Sequence, residues 1–367
     1  ADAIAAAVRA PATQFTSTHT PPRMAATAML AALLKLAPQD SIPQTVTSHV
    51  RTFFGERIHD YACAAPVFAA LHALLRHLPP TDAGWSAVLF ALLDETDVRS
   101  LAQPERHAAL QFVLALCLGA AADDVVARLD VDPARALLSV LRAFDGEKDP
   151  RNLLLYFQLL RGLCLRADAA ASADNTAAAL LDEVVPEVFD SISFYFPVAF
   201  TPPANDELGI TQQHLLQALI RTLKACRRFA PVVYPFLLEQ LSEAAANDDG
   251  EVSLQALQAL GLLAPAYGPL ALREHADKVA EALQEEVALL GRASSVGAPD
   301  AADVAPPVSQ RAAALGAALG ALAVAAASDR ALAARLVGAP LARCVAPRPD
   351  GPGPAVISRL LAAFAQL

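Results

Sequence analysis

Paired cysteines are missing from this chain. Its five, Cys63, Cys117, Cys164, Cys226 and Cys344, are scattered and never form a CxxC pair. An odd, dispersed set inside apolar stretches excludes a disulfide framework and fits buried thiols in a reducing compartment. Metal-site spacing is missing too. The eight histidines contain no HExxH, and none stands at finger spacing from a cysteine. His72 and His77 are five apart and do not share a helical face, while Glu56, His59 and Asp60 read as a hydrated helix end. No G-x-S-x-G elbow and no GxxxxGK[ST] loop is present. The glycines at 316–320 (GAALG) match neither phosphate loop and suit close helix packing instead. No catalytic, cofactor-binding or metal-binding residues are therefore predicted, and the chain reads as a non-enzyme.

Charge is scarce and mostly negative. Charged residues are 18% of the chain, and 38 acidic against 28 basic side chains leave a formal charge of -10. Phosphate-backbone binding needs concentrated Lys and Arg, so this balance argues against direct nucleic-acid binding. No apolar run reads as a clean membrane span. Ala312 to Ala327 comes nearest, with Asp329 and Arg330 following too soon. The start, Ala1-Asp2-Ala3, has neither a methionine nor the basic residues of a secretion signal, and suggests a fragment or an incomplete gene model.

What remains is helix. Apolar residues make up 55% of the chain, enough to offset ordering entropy over most of its length. Strand-type alternation is absent, and apolar residues recur at helical spacing instead. Leu30, Leu33, Leu34 and Ala37 form one stripe; Val67, Leu71, Leu74 and Leu78 form another, which Pro79-Pro80 ends. Asp132-Pro133 and Asp149-Pro150 each pair a capping side chain with a proline suited to the first helical position. Thr211 can cap the helix carrying Leu215, Leu219 and Leu223. Pro186 either kinks a helix or starts a fresh one. Helices follow at intervals of about 20 residues, so a pair of them comes near the roughly 40-residue period of HEAT-type repeats. A single core stops growing beyond about 250–300 residues, so stacked pairs are favoured over one compact bundle.

The predicted fold is all-α, an α-solenoid of HEAT-like antiparallel helix pairs in an armadillo-type superhelix. Residues 1–22 are expected to be flexible and 23–290 to form the solenoid, with an extended proline and aromatic loop at 194–210. A flexible linker is expected over 291–310, a further helix pair over 311–345 and a Pro/Gly linker over 346–355. A terminal helix without mates is expected over 356–367.

Three segments exceed what packing asks for. In 144–152, Gly146 can turn the chain, Asp149 cap a helix and Pro150 start it. Glu147, Lys148 and Arg151 are left over and read as a surface salt-bridge set or a partner patch. In 194–206, Pro197, Pro202 and Pro203 hold the chain extended between Phe194, Tyr195, Phe196 and Phe200. Extended backbone leaves donors and acceptors that need side chains, water or a partner, so the segment is either a packed loop or a docking ridge. Arg221, Lys224, Arg227 and Arg228 make a basic cluster, either an ordinary solvated face or a match for an acidic partner surface.

Two of these segments carry a likeness. FDGEKDPRNLL at 144–154 and YFPVAFTPPANDELGI at 195–210 closely resemble the N-terminal region of the methyl-methanesulfonate-sensitivity HEAT-repeat protein family. That family is the large scaffold of the cytosolic iron–sulfur cluster targeting complex. Thr52-Phe53-Phe54 with Arg57, Leu101 to His107, and Arg228-Phe229 followed by Pro235 to Glu239 are similar to further pieces in the expected order. The likeness spans roughly residues 45–290.

The resemblance implies an adaptor without catalytic residues or cofactor. It implies delivery of iron–sulfur clusters to apoproteins such as DNA helicases and polymerases, in nucleus and cytoplasm, and an association with the helicase-containing transcription and repair factor. Other subunits of the targeting complex are implied partners through C-terminal repeats that this chain is too short to contain. The protein-interaction residues it implies are Glu147, Lys148, Arg151 and Asn152, and Tyr195, Phe196, Phe200, Asn205 and Asp206; Arg221 and Arg228 join them from the basic cluster. Rival readings are a nucleic-acid-associated repeat protein of the repair and transcription machinery using Arg221 and Arg228, a generic protein-interaction solenoid, and a metal carrier using the scattered cysteines.

Overall fold

The computed structural model describes residues 12–39, 41–118, 131–202, 209–295, 306–345 and 352–365. Helix starts fall where local chemistry puts them. The Asp132 carboxylate accepts from the Ala134 amide at 3.0 Å, and Asp149 accepts from the amides of Arg151 and Asn152 at 3.0 and 3.3 Å. Thr211 Oγ1 accepts from the His214 amide at 3.2 Å. Asp248 ends one helix in the left-handed region, φ 54°, and Asp249 caps the next by accepting from Glu251 and Val252. Each cap satisfies amides that the first helical turn leaves without partners.

The chain divides into two compact units, 1–191 with 202–218, and 192–201 with 219–367. In the first, α1 (Ala12–Phe15) leads into α2 (Thr20–Leu36), α3 (Gln44–Gly55), α4 (Ala64–Leu74), α5 (Gly84–Asp94), α6 (Gln103–Cys117), α7 (Pro133–Phe144), α8 (Pro150–Ala173) and α9 (Asn175–Ser193). Pro186 lies inside α9, which runs on past it. Helices α2, α4, α6 and α8 pack in one row, and α3, α5 and α7 in another. From α2 to α8 each helix thus packs on the one two places before or after it, which is the stacking of a solenoid rather than a closed bundle.

Polar contacts fix the direction of that stacking. Arg106 and His107 near the start of α6 meet Glu147 and Asn152 near the start of α8, and the Cys117 carbonyl at the end of α6 meets Arg166 further along α8. Helices α6 and α8 therefore run parallel, and α7 between them runs back. Between the rows, Trp85, Phe112, Phe144 and Tyr156 are fully buried or nearly so. Burial of this kind stabilises by about 1.5–3 kcal/mol per large apolar side chain.

The second unit continues from the end of α10 (Gln212–Lys224) through α11 (Ala230–Asn247), α12 (Gly250–Tyr267), α13 (Pro269–Ser295) and α14 (Pro306–Ala325). After α15 (Arg330–Ala333) and a π-helical turn over Ala334–Gly338 come α16 (Ala339–Val345) and α17 (Pro354–Phe364). Among the described residues there is no strand.

Several boundaries differ from the sequence reading. Helices α1 and α2 reach into the expected flexible 1–22 segment, and both ends of the expected 291–310 linker are helical, with 296–305 outside the described residues. The terminal helix has a mate after all. Leu360 of α17 is fully buried against α14, where a Cβ on Gly316 would stand 2.2 Å from the Leu360 carbonyl oxygen. Only glycine allows that approach. Gly316→Ala is expected to cost about 1–3 kcal/mol through overpacking, read as a lower urea midpoint for the second unit; an unchanged midpoint would show that α17 is not seated there.

The apolar run near the C-terminus is also longer than expected. Val308–Ala325 is long and apolar enough to cross a membrane by length and composition. Half of it is buried against neighbouring helices, and its Arg311 is paired with Glu286 of α13 inside the unit. A core helix needs the same composition.

Candidate protein-interaction segments

The turn between α7 and α8 is built around one carboxylate. Gly146 takes φ 75°, which a side chain would strain, and so points Glu147 inward. The Glu147 side chain is only 1% exposed. It accepts from Arg106 Nε and Nη2 at 2.7 and 3.0 Å, from the amides of Lys148 and Asp149 at 2.9 and 3.0 Å, and from Asn152 Nδ2 at 3.0 Å. Burial alone would push its pKa up. The Arg106 guanidinium, the two amides and Asn152 outweigh that and hold the carboxyl below its ordinary value. Asn152, also fully buried, passes the network on: His107 Nδ1 lies 2.8 Å from its Oδ1, and Gln103 Nε2 lies 3.5 Å from the same atom.

This corrects the expected surface set. Glu147 and Asn152 are interior groups that tie the start of α6 to the α7–α8 turn, so neither is available to a partner in the folded chain. Lys148 and Arg151 are exposed, and Arg151 sits on Asp149 at 2.8 Å. The partners of Glu147 and Asn152 that the sequence reading missed, Gln103, Arg106 and His107, all lie in the Leu101–His107 stretch that the likeness includes. Nothing at the level of spacing links that stretch to residue 147.

The proline and aromatic segment begins as α9 ends. Phe194 is 76% exposed, Tyr195 is half-buried beside it with ring centroids 5.7 Å apart, and Phe196 is buried edge-on against Phe236 of α11 at 5.6 Å. The Phe196–Pro197 peptide bond is cis. Val198 then lies extended against α12. Its amide donates to Gln255 Oε1 at 2.8 Å, and its carbonyl accepts from Gln255 Nε2 at 3.1 Å. One buried side-chain amide thus serves as the neighbouring strand that this backbone lacks. Phe200 is half-buried, while Asn205 and Asp206 lie outside the described residues.

The basic cluster lies at the end of α10 and in the turn that follows. Arg221, Lys224 and Arg227 are exposed, and Arg228 is half-buried. No metal-holding cluster of three His, Cys, Asp or Glu occurs among the described residues. All five cysteines are buried, and burial pushes the Cys117 thiol up to about 12. A thiol so placed stays protonated and unreactive.

Residues 8–288 match the N-terminal MMS19 family model, described as a Dos2-interacting transcription regulator of RNA-Pol-II. The chain belongs to the MMS19 family. It is 31% identical over 242 residues to the MMS19 nucleotide excision repair protein homolog of Mus musculus, covering 65% of this chain and 21% of that protein. The human homolog is 30% identical over the same length, with the same coverage, and the Arabidopsis thaliana homolog 25% identical over 261 residues, covering 70% of this chain and 22% of that protein. The chain thus spans about a fifth of the length of these MMS19 relatives. The Glu147 turn, the Phe194–Pro202 segment and the basic cluster all fall inside the MMS19 match, whereas α14 to α17 fall outside it.

Proposed function

We propose that this chain is the N-terminal part of a non-enzymatic adaptor that helps deliver iron–sulfur clusters to apoproteins of DNA replication, repair and transcription. The observation that carries the reading is membership of the MMS19 family, whose named relatives are nucleotide excision repair protein homologs. The fold supports it. Helices stacked two apart within a unit leave side chains along their outer faces free to meet proteins, and polar networks such as that of Glu147 are absorbed in holding helices together. On this reading the clients are iron–sulfur enzymes such as DNA helicases and polymerases, met in cytoplasm and nucleus, with the helicase-containing transcription and repair factor among the partners. The other targeting subunits dock on parts of the protein beyond this chain.

Affinity capture from cell extract tests the reading, with the full-length gene product and this chain side by side. The chain is expected to retain client helicases and polymerases and to lose the other targeting subunits. Lys148→Glu together with Arg151→Glu is expected to lower client capture several-fold while leaving the helices folded, because both side chains are exposed. Failure of the unaltered chain to retain any iron–sulfur client would overturn the reading. Equal capture by the double variant would remove only this patch.

A further inference from the structure

Three arginines in the second unit are held by carboxylates. Arg273 sits on Asp329 at 2.7 Å, Arg311 on Glu286 at 2.8 Å, and Arg335 on Asp277. Arg221, Lys224 and Arg227 differ. They recur every third residue, all three are exposed, and none of them has a carboxylate within ion-pair distance or a ring contact among the described residues. A helix C-terminus favours cations in its last turn, which accounts for Arg221 and Lys224 at the end of α10. It does not account for Arg227, which lies beyond that helix in the short 3-10 turn Arg227–Phe229.

The backbone under these side chains is fixed. Phe229 and Ala230 are fully buried, as are Thr222 and Cys226, and the Leu223 carbonyl accepts from the Tyr267 hydroxyl at 3.0 Å. Three cations without a carboxylate among the described residues are therefore presented from a rigid support, in a chain whose net charge is -10. Preorganised charge of this kind loses little conformational freedom when a partner docks.

We propose that Arg221, Lys224 and Arg227 form a docking patch for an acidic peptide segment of a partner protein. Charge complementarity chooses the occupant. A duplex carries a negative charge about every 1.7 Å along its axis and needs a broad cationic track. Here the next helix, α11, brings the exposed carboxylates Glu239 and Glu243 and ends beside Asp248. A short acidic peptide can meet three cations and stop, whereas three cations in a chain of net charge -10 do not make the track a duplex needs. The patch rests on the adaptor reading only in supposing that a protein partner exists.

The test is fluorescence anisotropy of a labelled, glutamate-rich peptide with the purified chain, beside a labelled DNA duplex at the same salt. The peptide is expected to bind more tightly than the duplex and to weaken as salt rises. The triple variant Arg221→Glu, Lys224→Glu and Arg227→Glu should weaken peptide binding by about tenfold or more. A variant carrying only Arg221→Lys and Arg227→Lys should keep most of it. Undiminished peptide binding by a triple variant with unaltered circular dichroism would overturn the proposal, as would tighter binding of the duplex. Peptide binding without client capture from extract would spare the patch and sink the adaptor reading; the reverse pattern would do the opposite.

Discussion

Glu147→Ala is expected to destabilise the first unit by about 3–5 kcal/mol, the cost of leaving a buried charge network without its acceptor. Arg106, Asn152 and two backbone amides all donate to this carboxylate, and the side chain is almost wholly enclosed. Urea unfolding followed by the fluorescence of Trp85 reads the effect, since this single tryptophan is buried in the same unit against Phe112. Glu147→Gln keeps an acceptor and should cost less. It should also remove a pH dependence. Because folding holds the Glu147 pKa below its ordinary value of 4.5, the carboxylate's contribution is complete above that value. It fades as the pH falls below 4.5 and is gone once the pH passes the lower value of the folded chain. The stabilities of the wild type and the E147Q variant should therefore converge in acid and separate toward neutrality. Parallel curves across that range would mean that folding does not lower the Glu147 pKa.

The second large effect is expected at the buried pair in the other unit. Glu286 of α13 accepts from Ser253 Oγ of α12 and from Arg311 Nε of α14, each at 2.8 Å, so one carboxylate joins three helices. The pair is imperfect. Arg311 Nη2 lies 2.8 Å from the same oxygen but outside hydrogen-bonding alignment, and Glu286 Oε1 has no protein partner among the described residues. Glu286→Ala should cost about 3–5 kcal/mol, because it strands a guanidinium in the interior. Glu286→Met with Arg311→Met should cost much less, since neither charge then remains to be desolvated. Hydrogen–deuterium exchange over α12, α13 and α14 distinguishes the two, with fast exchange expected in the single variant alone. Equal exchange in both would show that packing, not charge, governs this site.

Legibility in the sequence followed distance along the chain. The caps at Asp132, Asp149 and Thr211 could be read in advance because donor and acceptor are two or three residues apart. The all-α class could be read because helical spacing is also local. Glu147 was misplaced on the surface because its main partner, Arg106, is 41 residues away and no local signal announces an inward carboxylate. The extended segment was half legible. Its prolines made plain that the backbone needed outside partners, but Gln255, 57 residues on, looked like any helical glutamine. The expected apolar run starts at Ala312, whereas Arg311 just before it is buried with Glu286 and belongs to the same core helix. The expected mate-less terminal helix failed for the same reason: the glycines at 316–320 announce close helix packing, but nothing local names Leu360, far along the chain, as what packs on Gly316.

The two-row packing of α2 to α8 also limits how this unit can change length. Adding or deleting one helix would reverse the parity of all that follow, moving each into the opposite row with its apolar stripe turned to water. Viable insertions should therefore arrive as whole helix–turn–helix modules. Gains or losses of an odd number should be confined to the rim, where no later helix inherits the error.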